Sequence, residues 1–178
     1  MWRAIAALRE GKLPVKWVRP EGIHLTMKFL GDVDDARQPE LQAALSRAAG
    51  RGGEEGGGGG PRALTLTLSG FGVFPDYRRP RVVWVGVEAE AAVELLQHRV
   101  EQAFAPLGFP TEARAFRPHI TLGRAARDAR PAAFAGLETQ LAGLSFDEAV
   151  VIETVDLMAS TLQSGGAVYH LKHRERLL

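Results

Sequence analysis

The chain has 178 residues, 46% of them apolar, and a formal net charge of +1. That is apolar mass enough for one ordinary domain, too much for a disordered chain, and no global charge of the kind that marks a nucleic-acid binder, so any basic surface must be local. It contains no cysteine, which excludes disulfides and thiolate metal sites and fits a reducing compartment. No apolar run reaches the ~18–20 residues of a membrane span. The N-terminus MWRAIAALREGK has neither a long apolar stretch nor a small-residue cleavage site. The expectation is a soluble, cytoplasmic monomer.

In chain order, Trp2–Arg9 reads as the end of a short helix stopped by Pro14. Ile23–Leu30 alternates, with Ile23, Leu25, Met27 and Phe29 on one side and His24, Thr26 and Lys28 on the other, and predicts a strand ended by Gly31. Ala36–Ala49 carries a helical apolar stripe. Gly50–Pro61 is a glycine-rich loop; it lacks the Gly-Lys-Ser/Thr ending of a phosphate loop. Ala63–Ser69 and Arg81–Val87 predict strands, joined by a rigid aromatic connection, Gly70–Pro80. Glu90–Leu107 predicts a helix that buries Leu95, Leu96, Val100, Ala103 and Phe104. His119–Leu122 reads as a strand, Pro131–Leu141 as a helix, and Glu148–Met158 and Ala167–Lys172 as strands joined across Gly165-Gly166. The irregular alternation predicts an α+β fold with antiparallel sheets rather than a doubly wound parallel sheet.

One pattern occurs twice. HLTMKFLG at 24–31 and HITLGR at 119–124 both begin His-aliphatic-Thr, and each is approached through a proline, Pro20 or Pro118. Chance supplies about 0.2 such triplets in a chain of this composition, so a matched pair in two predicted strands is a signal. Residues i and i+2 of a strand point the same way, roughly 6.5–7 Å apart, so an imidazole and a hydroxyl can touch different oxygens of one phosphate. Histidine titrates near pH ~6.5, so one ring can act as base while another acts as acid. Threonine hydroxyls can hold the non-bridging oxygens, where charge builds. Two histidines without cysteine are too few for a zinc site, and the chemistry requires neither metal nor cofactor.

At these residues the sequence resembles the two-histidine (2H) phosphoesterase superfamily, in its bacterial and archaeal RNA 2',3'-cyclic phosphodiesterase branch, also called the 2'-5' RNA ligase family. WVRPEGIHLTMKFLGDV resembles the first motif region, FRPHITLGR the second, and FGVFPDYRRPRVVWVGV the segment between them. The resemblance implies a bilobal, pseudo-symmetric α+β fold: two antiparallel sheets flank a central cleft, with helices on their outer faces, and the motifs face each other across it. It also implies that a terminal 2',3'-cyclic phosphate on RNA is opened to a 2'-phosphate. His24 would be the proton donor to the departing 3'-oxygen, His119 the proton acceptor that activates water, and Thr26 and Thr121 the phosphate holders. The reverse reaction would give 2'-5' ligase activity. Two departures stand out. The family begins with an apolar strand ahead of its first helix, whereas this chain starts in that helix, so either the start is misassigned or a core strand is absent. The family's late arginine before a serine is replaced by Ala159, beside Ser160.

The remaining candidates are substrate contacts. Arg124 follows the second motif, and Lys28 continues the His24/Thr26 face. Arg78, Arg79 and Arg81, with Arg114 and Arg117, form local basic clusters suited to RNA phosphates. Phe74, Tyr77 and Phe116 sit in predicted loops where a base can stack. Phe29 and Trp84 are assigned to the core, and His98, His170 and His173 are set aside as non-catalytic. Two other functions fit the same residues: hydrolysis of a small cyclic nucleotide or ADP-ribose cyclic phosphate, and a non-catalytic module that binds RNA ends. The two complete motifs argue against the last, since a binder has no need of two proton-transfer groups.

Overall fold

A computed structural model describes residues 1–50, 63–88, 90–163 and 166–177. It is a mixed fold with two antiparallel sheets, as the alternating patterns predict. Among the described residues the strands are β1 (Val15–Trp17), β2 (Leu64–Phe74), β3 (Val82–Val87), β4 (His119–Ala125), β5 (Asp147–Ile152), β6 (Thr154–Gln163) and β7 (Gly166–Arg176). The helices are α1 (Ala6–Glu10), α2 (Gln38–Ala48), α3 (Ala91–Phe104) and α4 (Leu137–Ala142). Five strands form one sheet in the order β1-β4-β3-β2-β5, and β6 and β7 form a two-stranded sheet. Most of the predicted glycine-rich loop, and the predicted Gly165 turn, lie outside the described residues.

The chain divides into two compact units, each assembled from three stretches. The first comprises Met1–Leu25, Thr67–Glu88 and Pro118–Ala149; the second comprises Thr26–Leu66, Ala89–Arg117 and Val150–Leu178. In the first unit one sheet face is the core: Val83, Val85, Val87, Val73, Ile120 and Leu122 are buried there, every second residue of β3 contributing. In the second unit α2 buries Leu41, Ala44, Leu45 and Ala48, the residues of its apolar stripe, while α3 buries Val93, Leu96, Val100 and Phe104.

Several elements differ from the sequence pattern. The stretch Ile23–Leu30 is not a strand: Leu25 alone pairs, in an isolated bridge to Ile120. Phe29 is 79% exposed, so the predicted buried row ends before it. The aromatic connection is largely strand, because β2 runs on through Phe74 past a register shift at Gly70, whose φ is +63°. Leu95 is 51% exposed and Glu101 takes a buried place on α3, where a paired charge replaces an aliphatic side chain. The helix expected over Pro131–Leu141 breaks into a 3-10 turn, Pro131–Phe134, and α4, separated by Gly136 at φ +79°. Glu148–Met158 is likewise two strands, β5 and the start of β6. No helix among the described residues is long and apolar enough to cross a membrane.

Candidate active site

The Leu25–Ile120 bridge is antiparallel. Opposed residues in such a pair share a sheet face, and the residues flanking them share the other. Leu25 and Ile120 therefore point the same way, with Ile120 buried in the core. One step along, His24 lies beside Thr121 on the opposite face, and His119, two residues from Thr121 in β4, shares that face. The bridge makes His24 and His119 neighbours along the backbone. Both belong to the first unit, whose boundary falls between Leu25 and Thr26, inside the first motif. A backbone bridge thus ties the first motif to β4 at Leu25 and Ile120.

Each ring is oriented by its surroundings. His24 Nδ1 lies 2.8 Å from the carbonyl oxygen of Gly22, the last residue of the 3-10 turn Pro20–Gly22. A carbonyl only accepts, so Nδ1 carries the hydrogen, and proton exchange with a ligand falls to Nε2. The His119 ring meets Phe74 edge to face, centroids 4.9 Å apart and planes at 83°. Phe74 in turn lies 5.2 Å from Trp84, its ring tilted by 36°. Trp84 pairs with Thr121 and so stands on the motif face, not in the core where its sequence context put it. Its indole has room because its other cross-strand partner is Gly72: a Cβ there would sit 2.3 Å from the indole ring. The buried Trp84 Nε1 finds no hydrogen-bond partner among the described residues, so shape, not polarity, accounts for its presence.

A β-bulge decides where Arg124 points. Val83 pairs with Gly123 but Trp84 pairs with Thr121, which leaves Leu122 as the extra residue. Strict alternation from Thr121 would turn Arg124 toward the core; the bulge returns it to the His119/Thr121 face, where it is exposed. The neighbouring pairs agree. A Cβ on Gly123 would meet Val15 and Trp17 at 2.5 and 2.9 Å, so those side chains crowd the core face, and Lys16, opposite Arg124, takes the other.

The remaining candidates are divided between the two units. The Lys28 side chain is only 4% exposed; its Nζ is paired with Glu101 Oε2 and donates to the Pro110 carbonyl at 2.8 Å, inside the second unit. Thr26 opens that unit and is exposed, and Phe116 and Arg114 also belong to it. Tyr77 is half-buried; burial, then the Glu138 carboxylate, pushes its phenol above the usual tyrosine value. Arg78 and Arg79 are exposed, their amides donating to Asp76 Oδ1 at 2.8 and 3.1 Å, and Arg81 Nη1 lies 3.4 Å from the Arg127 carbonyl. Arg117 is exposed at the end of its stretch. His98 is exposed on α3, His170 Nε2 lies 3.4 Å from Thr161 Oγ1, and His173 Nε2 lies 2.8 Å from Glu175 Oε1. Among the described residues no three His, Cys, Asp or Glu side chains gather as a metal-ligand set. Sequence reasoning missed Gly72, Trp84's face and Lys16. The alternation of Val15 and Trp17 about Lys16, and of Val83 and Val85 about Trp84, held the signal for the last two.

A two-motif face of this kind, on this fold, defines a class. The family model of the 2'-5' RNA ligase superfamily matches residues 1–161, and the chain belongs to that superfamily. The resemblance carried by the two motifs is borne out. Among particular relatives, the RNA 2',3'-cyclic phosphodiesterase of Methanothermobacter thermautotrophicus is 33% identical over 162 residues, 91% of this chain and 82% of that protein. The Aquifex aeolicus protein of the same name is 32% identical over 161 residues, 89% of this chain and 79% of its own. That of Geobacillus stearothermophilus is 36% identical over 108 residues, which is 61% of this chain and only 32% of that longer protein. In structure the chain matches Escherichia coli LigT complexed with 3'-AMP at a TM-score of 0.70 and 24% identity, covering 98% of this chain and 90% of LigT, a likeness of fold. TT0787 of Thermus thermophilus matches at 0.69 and 26%, with the same coverage.

Proposed function

We propose that this chain is an RNA 2',3'-cyclic phosphodiesterase that opens a terminal cyclic phosphate to a 2'-phosphate without a metal. The observation that supports the reading is the Leu25–Ile120 bridge, which joins the backbones of the two motifs. His119 takes a proton from water as the water oxygen bonds to phosphorus. The bond from phosphorus to the 3'-oxygen breaks, and His24, protonated at Nε2, gives that oxygen a proton. One proton is gained and one lost, so exchange with solvent resets the pair. The Gly22 carbonyl favours this assignment for His24, because it holds Nδ1–H and fixes which nitrogen faces the ligand. Thr121, and Thr26 one residue beyond Leu25, donate to the non-bridging oxygens, where charge grows in the transition state. Arg124 supplies counter-charge on the same face. The curated relatives' names support the substrate class. The cysteine-free composition supports a cytoplasmic setting, and sedimentation checks that the chain acts as a monomer.

The test is an oligoribonucleotide ending in 2',3'-cyclic phosphate, incubated in excess chelator, with the product end identified. A 2'-phosphate is expected. A 3'-phosphate product, or turnover lost with chelator and restored by metal, refutes the mechanism. His24→Ala and His119→Ala should each lower kcat by ~10²-fold or more, as loss of an acid or a base does, with folding intact by circular dichroism.

A further inference from the structure

The turn over residues 75–81 joins β2 to β3 at the end of the sheet where Arg124 stands, since Val82, the first residue of β3, pairs with both Phe74 and Arg124. The first unit holds this turn in place. The Arg81 amide donates to the Phe74 carbonyl at 2.7 Å, Pro80 is buried, and Tyr77 is half-buried within the field of the Glu138 carboxylate. Asp76 Oδ1 accepts the amides of Arg78 and Arg79 at 2.8 and 3.1 Å, so this carboxylate is engaged by the turn's own backbone. Arg78 and Arg79 are both exposed, and among the described residues neither guanidinium forms an ion pair. Thr121 pairs with Trp84 and Arg124 with Val82, so the level of Arg124 stands roughly 6.5–7 Å along the sheet from that of Thr121, and the turn lies beyond it. That order suits the strand leading away from a reacting end rather than the reacting phosphate itself.

We infer that Arg78 and Arg79 form a landing for the backbone phosphates of the RNA strand that precedes the reacting 2',3'-cyclic end. The inference rests on the function proposed above for the reacting groups and deepens it by naming the substrate class, a single-stranded RNA end rather than a mononucleoside cyclic phosphate. The guanidinium fork matches phosphate oxygens, and a turn already fixed at Tyr77, Pro80 and Asp76 has little backbone freedom left to lose when a strand binds.

The experiment compares wild type, Arg78→Gln/Arg79→Gln and Arg78→Lys/Arg79→Lys on two substrates, an oligoribonucleotide and a mononucleoside, each ending in 2',3'-cyclic phosphate. The ratio of kcat/KM for the oligoribonucleotide to that for the mononucleoside should fall roughly two- to thirtyfold in the double Gln variant, the effect of two exposed ionic contacts, and be largely kept in the double Lys variant. Binding of a single-stranded oligoribonucleotide with a 2'-phosphate end, followed by anisotropy against salt, should lose about 1.4 from the log–log slope in the double Gln variant, about 0.7 for each phosphate released. Arg3→Gln, which removes another exposed charge from the same unit, should leave the ratio in place. An unchanged ratio with an unchanged slope overturns the inference. So does equal loss on both substrates, or a fall in Arg3→Gln as large as that in the double Gln variant. If wild type turns over neither substrate, the catalytic reading fails, and the salt slope alone decides the landing.

Discussion

Replacing Lys28 by alanine should unfold the second unit well before it alters chemistry. Lys28 and Glu101 have side chains only 4% and 6% exposed, and Lys28 Nζ also donates to the Pro110 carbonyl while Gln97 donates to Glu101 Oε1 at 3.0 Å. The pair is a satisfied buried network in which each charge needs the other. Removing one partner leaves a carboxylate in a place water does not reach, at a cost of about 3–5 kcal/mol. For a chain of this size each kcal/mol shifts Tm by about 2–4 °C, so the drop should be roughly 6–20 °C. Urea denaturation of Lys28→Ala, Glu101→Leu and Lys28→Met/Glu101→Leu measures it. The double variant, with two apolar side chains of similar volume, should recover most of the loss, because neither buried charge remains. If Lys28→Ala loses under about 1 kcal/mol while KM for the cyclic substrate rises sharply, Lys28 is a substrate contact and the reasoning here is wrong.

Gly72→Ala pushes a methyl to within 2.3 Å of the Trp84 indole, so overpacking should cost about 1–3 kcal/mol in urea melts, and displacement of the Trp84–Phe74 shelf should lower kcat more than it raises KM. Phe74→Leu, which keeps bulk but removes the edge-to-face partner of His119, should lower kcat more than it raises KM, whereas loss of stability alone in urea melts would mark Phe74 as purely structural. The Tyr77 phenol stands above its ordinary 10.0, from burial and then Glu138. Its contribution to stability is therefore complete below pH about 10 and is lost as pH rises through the higher folded value. Alkaline titration of phenolate absorbance in a Tyr169→Phe background should show Tyr77 ionising late, and Glu138→Gln should bring it earlier. Leu95→Gln should leave the urea midpoint nearly unchanged, since Leu95 is solvent-facing on α3 despite its helical spacing.

The two histidine-threonine motifs were legible because chemistry and period coincide in them: a titratable ring and a hydroxyl alternate with aliphatic residues, and both readings need only adjacent positions. The helix α2 was legible for the same reason, its stripe matching the residues it buries. Local pattern misread Lys28, which continues the His24/Thr26 alternation yet ends in a buried pair with Glu101, a residue 73 positions away. It misread Trp84 as core, because an aromatic between valines looks the same whichever face is buried. Leu95 and Glu101 exchanged places for a similar reason: helical spacing counts apolar residues, and a carboxylate is buried where a distant lysine meets it.

What the sequence determined alone is the pair of His-x-Thr motifs proposed to react, most of the strand and helix content that alternation and stripes encode, and the chemical class those groups can serve. Only the tertiary structure decided that one antiparallel bridge joins the two motifs on a single face, and that an extra residue at Leu122 turns Arg124 onto it beside Lys16. The physical reason is register. A strand's faces alternate every residue, so the side on which a group emerges depends on a one-residue offset set by a partner strand far away in the chain, and no local pattern carries that offset.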